Sequence, residues 1–123
     1  MGVSPNIWGP NLWGTLHLLC LAGTITPNFD QQFAAVIPCP MCASHFSDLL
    51  TENPFPDSDD PSVLFEWSVR LHNLVNARLG KPIFSTEQAM QKWTGSGPVQ
   101  FDFKIALLVL TLVIFIIILL KIK

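Results

Sequence analysis

From Ile105 to Leu120 the chain carries no charge and a single polar side chain, Thr111, in an otherwise unbroken stretch of Ile, Leu, Val, Phe and Ala. As a helix rising ~1.5 Å per residue, this run covers most of a ~30 Å hydrocarbon layer. A helix that is apolar on every side must be surrounded on every side, and about 95 residues are too few to enclose one in a soluble core. The run therefore reads as a transmembrane segment, with Lys104 before it and Lys121 and Lys123 after it at the two interfaces. Met1 to Asn6 holds no basic region, so no secretory signal is expected. Asn6 also occupies the position where a myristoylation start wants Ser or Thr. The expectation is a single-pass, tail-anchored chain whose domain faces the cytosol, divided into a domain at 1–94, a linker at 95–103 and an anchor at 104–121.

What precedes the anchor has the length of one compact domain. Leu12, Trp13, Leu16, Leu19 and Cys20 recur at helical spacing between the helix-breaking pair Gly9-Pro10 and Gly23, which predicts a first helix from about Asn11. Phe29, Phe33, Val36 and Ile37 mark a short second helix between Pro27 and Pro38. A third opens at Cys39-Pro40, with Pro at the first helical position, and runs through Phe46, Leu49 and Leu50 towards Asn53. The Pro- and Asp-rich stretch up to Pro61 is a solvated loop. Pro61 opens the longest helix of the domain, with Leu64, Trp67, Leu71, Leu74 and Val75 on its apolar face and Gly80 and Pro82 closing it. Ser85 and Gln88 form a capping box for a last short helix that ends near Trp93. No alternating strand pattern and no repeat occur, so the class is all-α: a four-helix bundle with a short fifth helix, plus one C-terminal transmembrane helix.

The net charge of −2 provides no basic footprint for nucleic acid. Three cysteines are too few for a disulfide scaffold, and two of them, Cys39 and Cys42, form a Cys-Pro-Met-Cys tetrad at a helix start. Unpaired backbone N–H groups and the positive end of the helix dipole favour thiolate there, which suits disulfide exchange. Three readings stand for the pair: redox chemistry, a zinc site completed by His45 and a further histidine, or an inert structural pair. On the long helix His72 and Asn76 share a face with Phe65 and Val69, and Asn73 borders it. Buried imidazole and carboxamide groups cost ~1–3 kcal/mol each when unsatisfied, so either a polar partner fills this stripe or the asparagines are solvated and His72 is satisfied within the core. His17 poses the same question on the first helix, four residues after Trp13. Trp8, Trp13, Trp67 and Trp93 each read first as core, and together they provide flat surfaces for a ring system. Cys20 reads as a small buried hydrophobe.

Taken together, Trp8-Gly9-Pro10-x-x-Trp13-x-x-Leu16-His17, Cys39-Pro40-Met41-Cys42-Ala43-x-His45-Phe46, Trp67-x4-His72-Asn73-x-x-Asn76-x-x-Leu79-Gly80-Lys81-Pro82 and Trp93 resemble the Erv/ALR sulfhydryl oxidases over roughly residues 7 to 94. The resemblance implies FAD inside the bundle beside a redox-active Cys39–Cys42 disulfide. Trp13, His17, His45, His72, Asn73, Asn76, Lys81 and Trp93 would line the cofactor site, with Gly9 at its edge. It also implies a relay in which a client thiolate attacks Cys39, Cys42 is released beside the flavin, and the electrons pass to O₂ to give H₂O₂. Many relatives of this kind carry a second, shuttle pair of cysteines, whereas here only Cys20 lies outside the tetrad. A separate small dithiol carrier is therefore expected as partner, along with thiol-containing client proteins. A homodimer is expected as well. The compact form looks most like oxidases of large cytoplasmic DNA viruses, and so implies a viral or virion membrane. Two other classes stand beside this one: a zinc-stabilised helical adaptor on a membrane, and a flavoprotein scaffold without turnover.

Overall fold

The computed structural model describes residues 2–26, 28–95 and 103–121. Among the described residues six helices follow one another: α1 Pro5–Ala22, α2 Phe29–Ala35, α3 Pro40–Glu52, α4 Pro61–Arg78, α5 Thr86–Thr94 and α6 Phe103–Lys121. No strand occurs among the described residues. The linker expected at 95–103 falls mostly outside them.

Local chemistry sets the helix ends. Asp60 caps α4 by accepting from the N–H of Ser62 at 2.8 Å, and Pro61 occupies the first turn, where its missing N–H costs nothing. Beyond Arg78, Gly80 turns the chain away with φ +65°, a conformation that strains a residue bearing a Cβ. At α5 the capping box forms as expected, with Ser85 and Gln88 bonding each other's backbone N–H.

One boundary departs from expectation. The first helix begins at Pro5 rather than Asn11, and Pro10 lies inside it. Ser4 supplies the N-cap by accepting from the N–H of Asn6, and Pro5 follows at the first position. Pro10 removes the bond that Asn6 would have accepted, but Asn6 is exposed, so the loss costs little.

The core forms where α1 lies along α4, with α2 against α3 and α5 touching both α1 and α4. Leu16 and Cys20 from α1, Leu49 from α3, Leu64, Phe65 and Leu71 from α4 and Ala89 from α5 are sealed from solvent. Each large apolar side chain buried this way contributes ~1.5–3 kcal/mol. α4 buries nearly a full half-cylinder, and that half includes the polar residues Ser68, His72 and Asn76. α6 differs, since its described apolar residues from Leu107 to Ile118 are exposed. Among the described residues no helix is long and apolar enough to cross a membrane.

Candidate active site

Cys39 is the N-cap of α3, and its sulfur accepts from the N–H of Cys42 at 3.2 Å. The two cysteines form a disulfide, with Cα atoms 5.1 Å apart. In that state neither sulfur is a thiolate ligand, and His45, the proposed third zinc ligand, lies exposed one turn further on. Both sulfurs sit at the positive end of α3, where a thiolate released from the bond is stabilised.

One turn beyond Cys42 on the same face, the ring of Phe46 meets Trp13 edge-on at 5.8 Å. Trp13 opens a cluster of rings gathered from three helices. It stacks on His72 at 4.3 Å and nearly parallel, while Trp93 lies 4.4 Å from His17 and 5.4 Å from His72. The two histidines bond each other, His17 Nε2 to His72 Nδ1, at 3.0 Å. His17 Nδ1 in turn lies 2.8 Å from Ser68 Oγ. Burial, aided by His72 and then Lys92, lowers the pKa of His17 to about 3. Burial and the charges of Lys92 and Lys81 lower that of His72 to about 4. Both imidazoles are therefore neutral near pH 7. Burial also pushes the thiol of Cys20, beside Ser68, up to about 11, so it remains an inert protonated core group.

These shifts fix a pH dependence. An unfolded histidine titrates near ~6.5, so below that pH the unfolded chain binds protons that the fold excludes. Stability is complete above about pH 6.5 and falls as the pH drops from there towards about 4. With both histidines counting, the slope reaches up to about 3 kcal/mol per pH unit. Thermal melts of the chain between neutral pH and pH 4 check this, and His17→Gln should flatten the slope. A melting temperature that stays level over the interval would contradict it.

Of the residues singled out in the sequence, the fold thus brings together Trp13, His17, His72 and Trp93. Asn76 is 5% exposed on the same face of α4, one turn after His72, and its side-chain amide bonds to nothing among the described residues. Asn73 has both halves of its amide engaged: Nδ2 donates to the carbonyl of Phe84 at 2.7 Å and Oδ1 accepts from the N–H of Phe84 at 2.9 Å. Lys81 is exposed, and its backbone N–H is tied to the carbonyl of Asn76 at 2.8 Å. Gly9 and His45 make no hydrogen bond or ring contact with the cluster among the described residues. A Cβ on Gly9 would meet nothing within 4 Å.

Four residues of this neighbourhood escape sequence reasoning. Ser68 reads as an ordinary helical serine. Phe84 is the anchor that Asn73 holds. Lys92 places its ammonium 4.6 Å over the Phe84 ring and 4.8 Å over Trp93. Gly14 lets Trp93 reach α1, since a Cβ there would meet the indole Nε1 at 3.1 Å. Its one signal in the sequence is a glycine inside a helical pattern, where it costs ~1 kcal/mol relative to Ala unless packing demands it. An open groove of about 610 Å³ runs between α4 and residues 83–87, lined by Glu66, Arg70, Ala77 and Ile83 among others, and it shares Asn73 and Phe84 with the neighbourhood of the ring cluster. Among the described residues its lining contains neither a cysteine nor a histidine.

Among the described residues, fold and site define an all-helical protein with a disulfide capping one helix and, linked to it through Phe46, two buried histidines packed with partly buried tryptophans. The comparisons identify the lineage. A model of the Erv1 / Alr family matches residues 10–94, and the chain belongs to that family. It is 34% identical over 87 residues to the FAD-linked sulfhydryl oxidase of African swine fever virus (isolate Tick/Malawi/Lil 20-1/1983), which covers 63% of this chain and 72% of that one. It is 32% identical over 106 residues to a putative FAD-linked sulfhydryl oxidase of Invertebrate iridescent virus 6, covering 74% of this chain and 96% of the relative. Among solved structures, a cysteine-to-serine double mutant of Erv1 from Saccharomyces cerevisiae has the same fold, with a TM-score of 0.68 and 23% identity over 80% of this chain and 90% of that one.

Proposed function

We propose that this chain is an FAD-linked sulfhydryl oxidase: it oxidises dithiols in protein clients through the Cys39–Cys42 pair and passes the electrons to O₂. The observation that carries the reading is the position of the pair on α3, one turn before Phe46, whose ring meets Trp13 of the ring cluster. No described hydrogen bond uses His72 Nε2 or the Asn76 amide, yet neither is sealed in apolar surroundings. Flat rings beside unpartnered polar groups suit a heteroaromatic cofactor. Trp13, His17, His72, Asn73, Asn76 and Trp93 would hold FAD, with Lys81 and Lys92 for its phosphates and Gly9 and His45 at the margins. Bound FAD supplies a two-electron acceptor for the reduced cysteines and their route to O₂, which leaves as H₂O₂.

The chain's own chemistry is thiol–disulfide exchange. A client thiolate attacks Cys39 Sγ, the Cys39–Cys42 bond breaks, and Cys42 departs as a thiolate stabilised by the first turn of α3. A second client thiolate attacks the mixed disulfide, so the client leaves oxidised and both cysteines are reduced. Cys42 shares its face with Phe46 and hence with the Trp13 side of the bundle, which leaves Cys39 for the client. Exposed Val36 and Met41 flank Cys39 and offer an apolar lip to a separate dithiol carrier. Exposed Ile7 and Leu18 on the outer side of α1 suit a second copy of the chain. α6, 19 residues long and exposed at its described apolar residues, is the membrane anchor of this reading.

The test is the visible absorption spectrum of the purified full chain in detergent, before and after dithiothreitol is added in air. A flavin band that bleaches and returns while oxygen is consumed is the expected result. A colourless protein that leaves oxygen untouched would end the oxidase reading.

A further inference from the structure

Behind the ring cluster lies a buried polar chain that runs from Ser68 through His17 to His72. Ser68 Oγ is 2.7 Å from the carbonyl of Phe65 one turn back. A carbonyl only accepts, so the single hydroxyl proton of Ser68 is committed there. The 2.8 Å contact with His17 then requires His17 Nδ1 to carry the proton and Ser68 to accept it. A neutral imidazole has one N–H, which leaves His17 Nε2 bare. It accepts across 3.0 Å from His72 Nδ1, so the proton of His72 is also on Nδ1. The far nitrogen of His72 is left with a lone pair and no partner among the described residues.

We propose that Ser68 and His17 are positioning residues that lock His72 in its Nδ1–H tautomer, so that His72 Nε2 presents a hydrogen-bond acceptor to an N–H or O–H group of the cofactor. The direction of the whole chain is set at Ser68, which is fully enclosed at 0% exposure and touches no ligand surface. Its influence on the site is exerted through two imidazoles. One turn after His72 on the same face of α4 the Asn76 amide both donates and accepts, so that face offers a fixed acceptor and an adaptable group. The arrangement rests on the cofactor reading above only for the identity of what His72 meets.

The experiment is a long-range ¹H–¹⁵N correlation spectrum of the imidazole rings in the full chain, labelled with ¹⁵N-histidine and carrying its flavin, near neutral pH. Both His17 and His72 are expected in the Nδ1–H form. Ser68→Ala removes the acceptor for His17, and both rings should invert to the Nε2–H form, with flavin affinity falling about ten-fold or more because two donors then confront each other at His72. Ser68→Thr keeps the hydroxyl and should restore the original pattern. A wild-type spectrum with the His72 proton on Nε2 overturns the proposal, with no variant needed. So does a Ser68→Ala protein whose His72 tautomer is unchanged. If the wild-type chain binds no flavin but has both protons on Nδ1, the lock stands and the cofactor reading falls.

Discussion

Replacing Cys39 or Cys42 with serine is expected to abolish dithiol oxidation while the flavin stays bound. Either change removes one sulfur of the only disulfide among the described residues, and the hydroxyl that replaces it cannot form one. The fold should survive. The bridge closes a loop of four residues, worth at most about 2 kcal/mol by loop entropy. For Cys39→Ser the local structure even favours the substitution, because Cys39 is the N-cap of α3 and serine is among the strongest residues there. Oxygen consumption with dithiothreitol, measured beside the flavin absorbance per chain, checks both halves. Turnover comparable to the wild type in either variant would eliminate the exchange mechanism.

Asn73→Ala is the second substitution with a large expected effect, and it acts through the backbone. The amide of Asn73 pairs with both backbone polar groups of Phe84, which ties the segment after Gly80 to α4. Alanine would leave a part-buried N–H and C=O without partners at a cost of ~1–3 kcal/mol each. For a domain of this size that lowers the melting temperature by at least about 10 °C. Phe84 also packs edge-on against Trp93 at 5.9 Å and lies 6.2 Å from His72, so the ring cluster should loosen and release flavin more readily. Asn73→Asp retains the acceptor but not the donor and should fall between the two. A melting curve that overlays the wild type for Asn73→Ala would show that the segment is held by something other than this pair of bonds.

Much of the fold was legible because its signals are local. Cys39-Pro40 announces the start of α3, and Ser85 with Gln88 that of α5, since a cap is decided within one turn. The same locality explains the error at α1. Gly9-Pro10 carries a strong breaking signal, yet Ser4 and Pro5 provide a complete start upstream, and a proline near an exposed helix end removes only one bond. His17, His72, Trp13 and Trp93 each stood out in the sequence as core residues or as the lining of a ring-shaped ligand. Their mutual arrangement did not, because His17 and His72 are 55 residues apart and meet only once α1 lies along α4. Asn73 shows the limit most directly. Helical spacing places it at the edge of the polar face, but which group its amide satisfies depends on where the chain returns after Gly80.

The sequence by itself determined an all-helical domain, a pair of thiols at the positive end of a helix and an apolar segment that such a domain cannot enclose. Periodicity, capping and composition act over one or two turns and need no fold to be read. Only the tertiary structure decided which rings stack, which polar groups are spent on one another and which have no partner among the described residues. Proton placement along Ser68, His17 and His72 follows from distances between two helices, and such distances exist only after packing has set them.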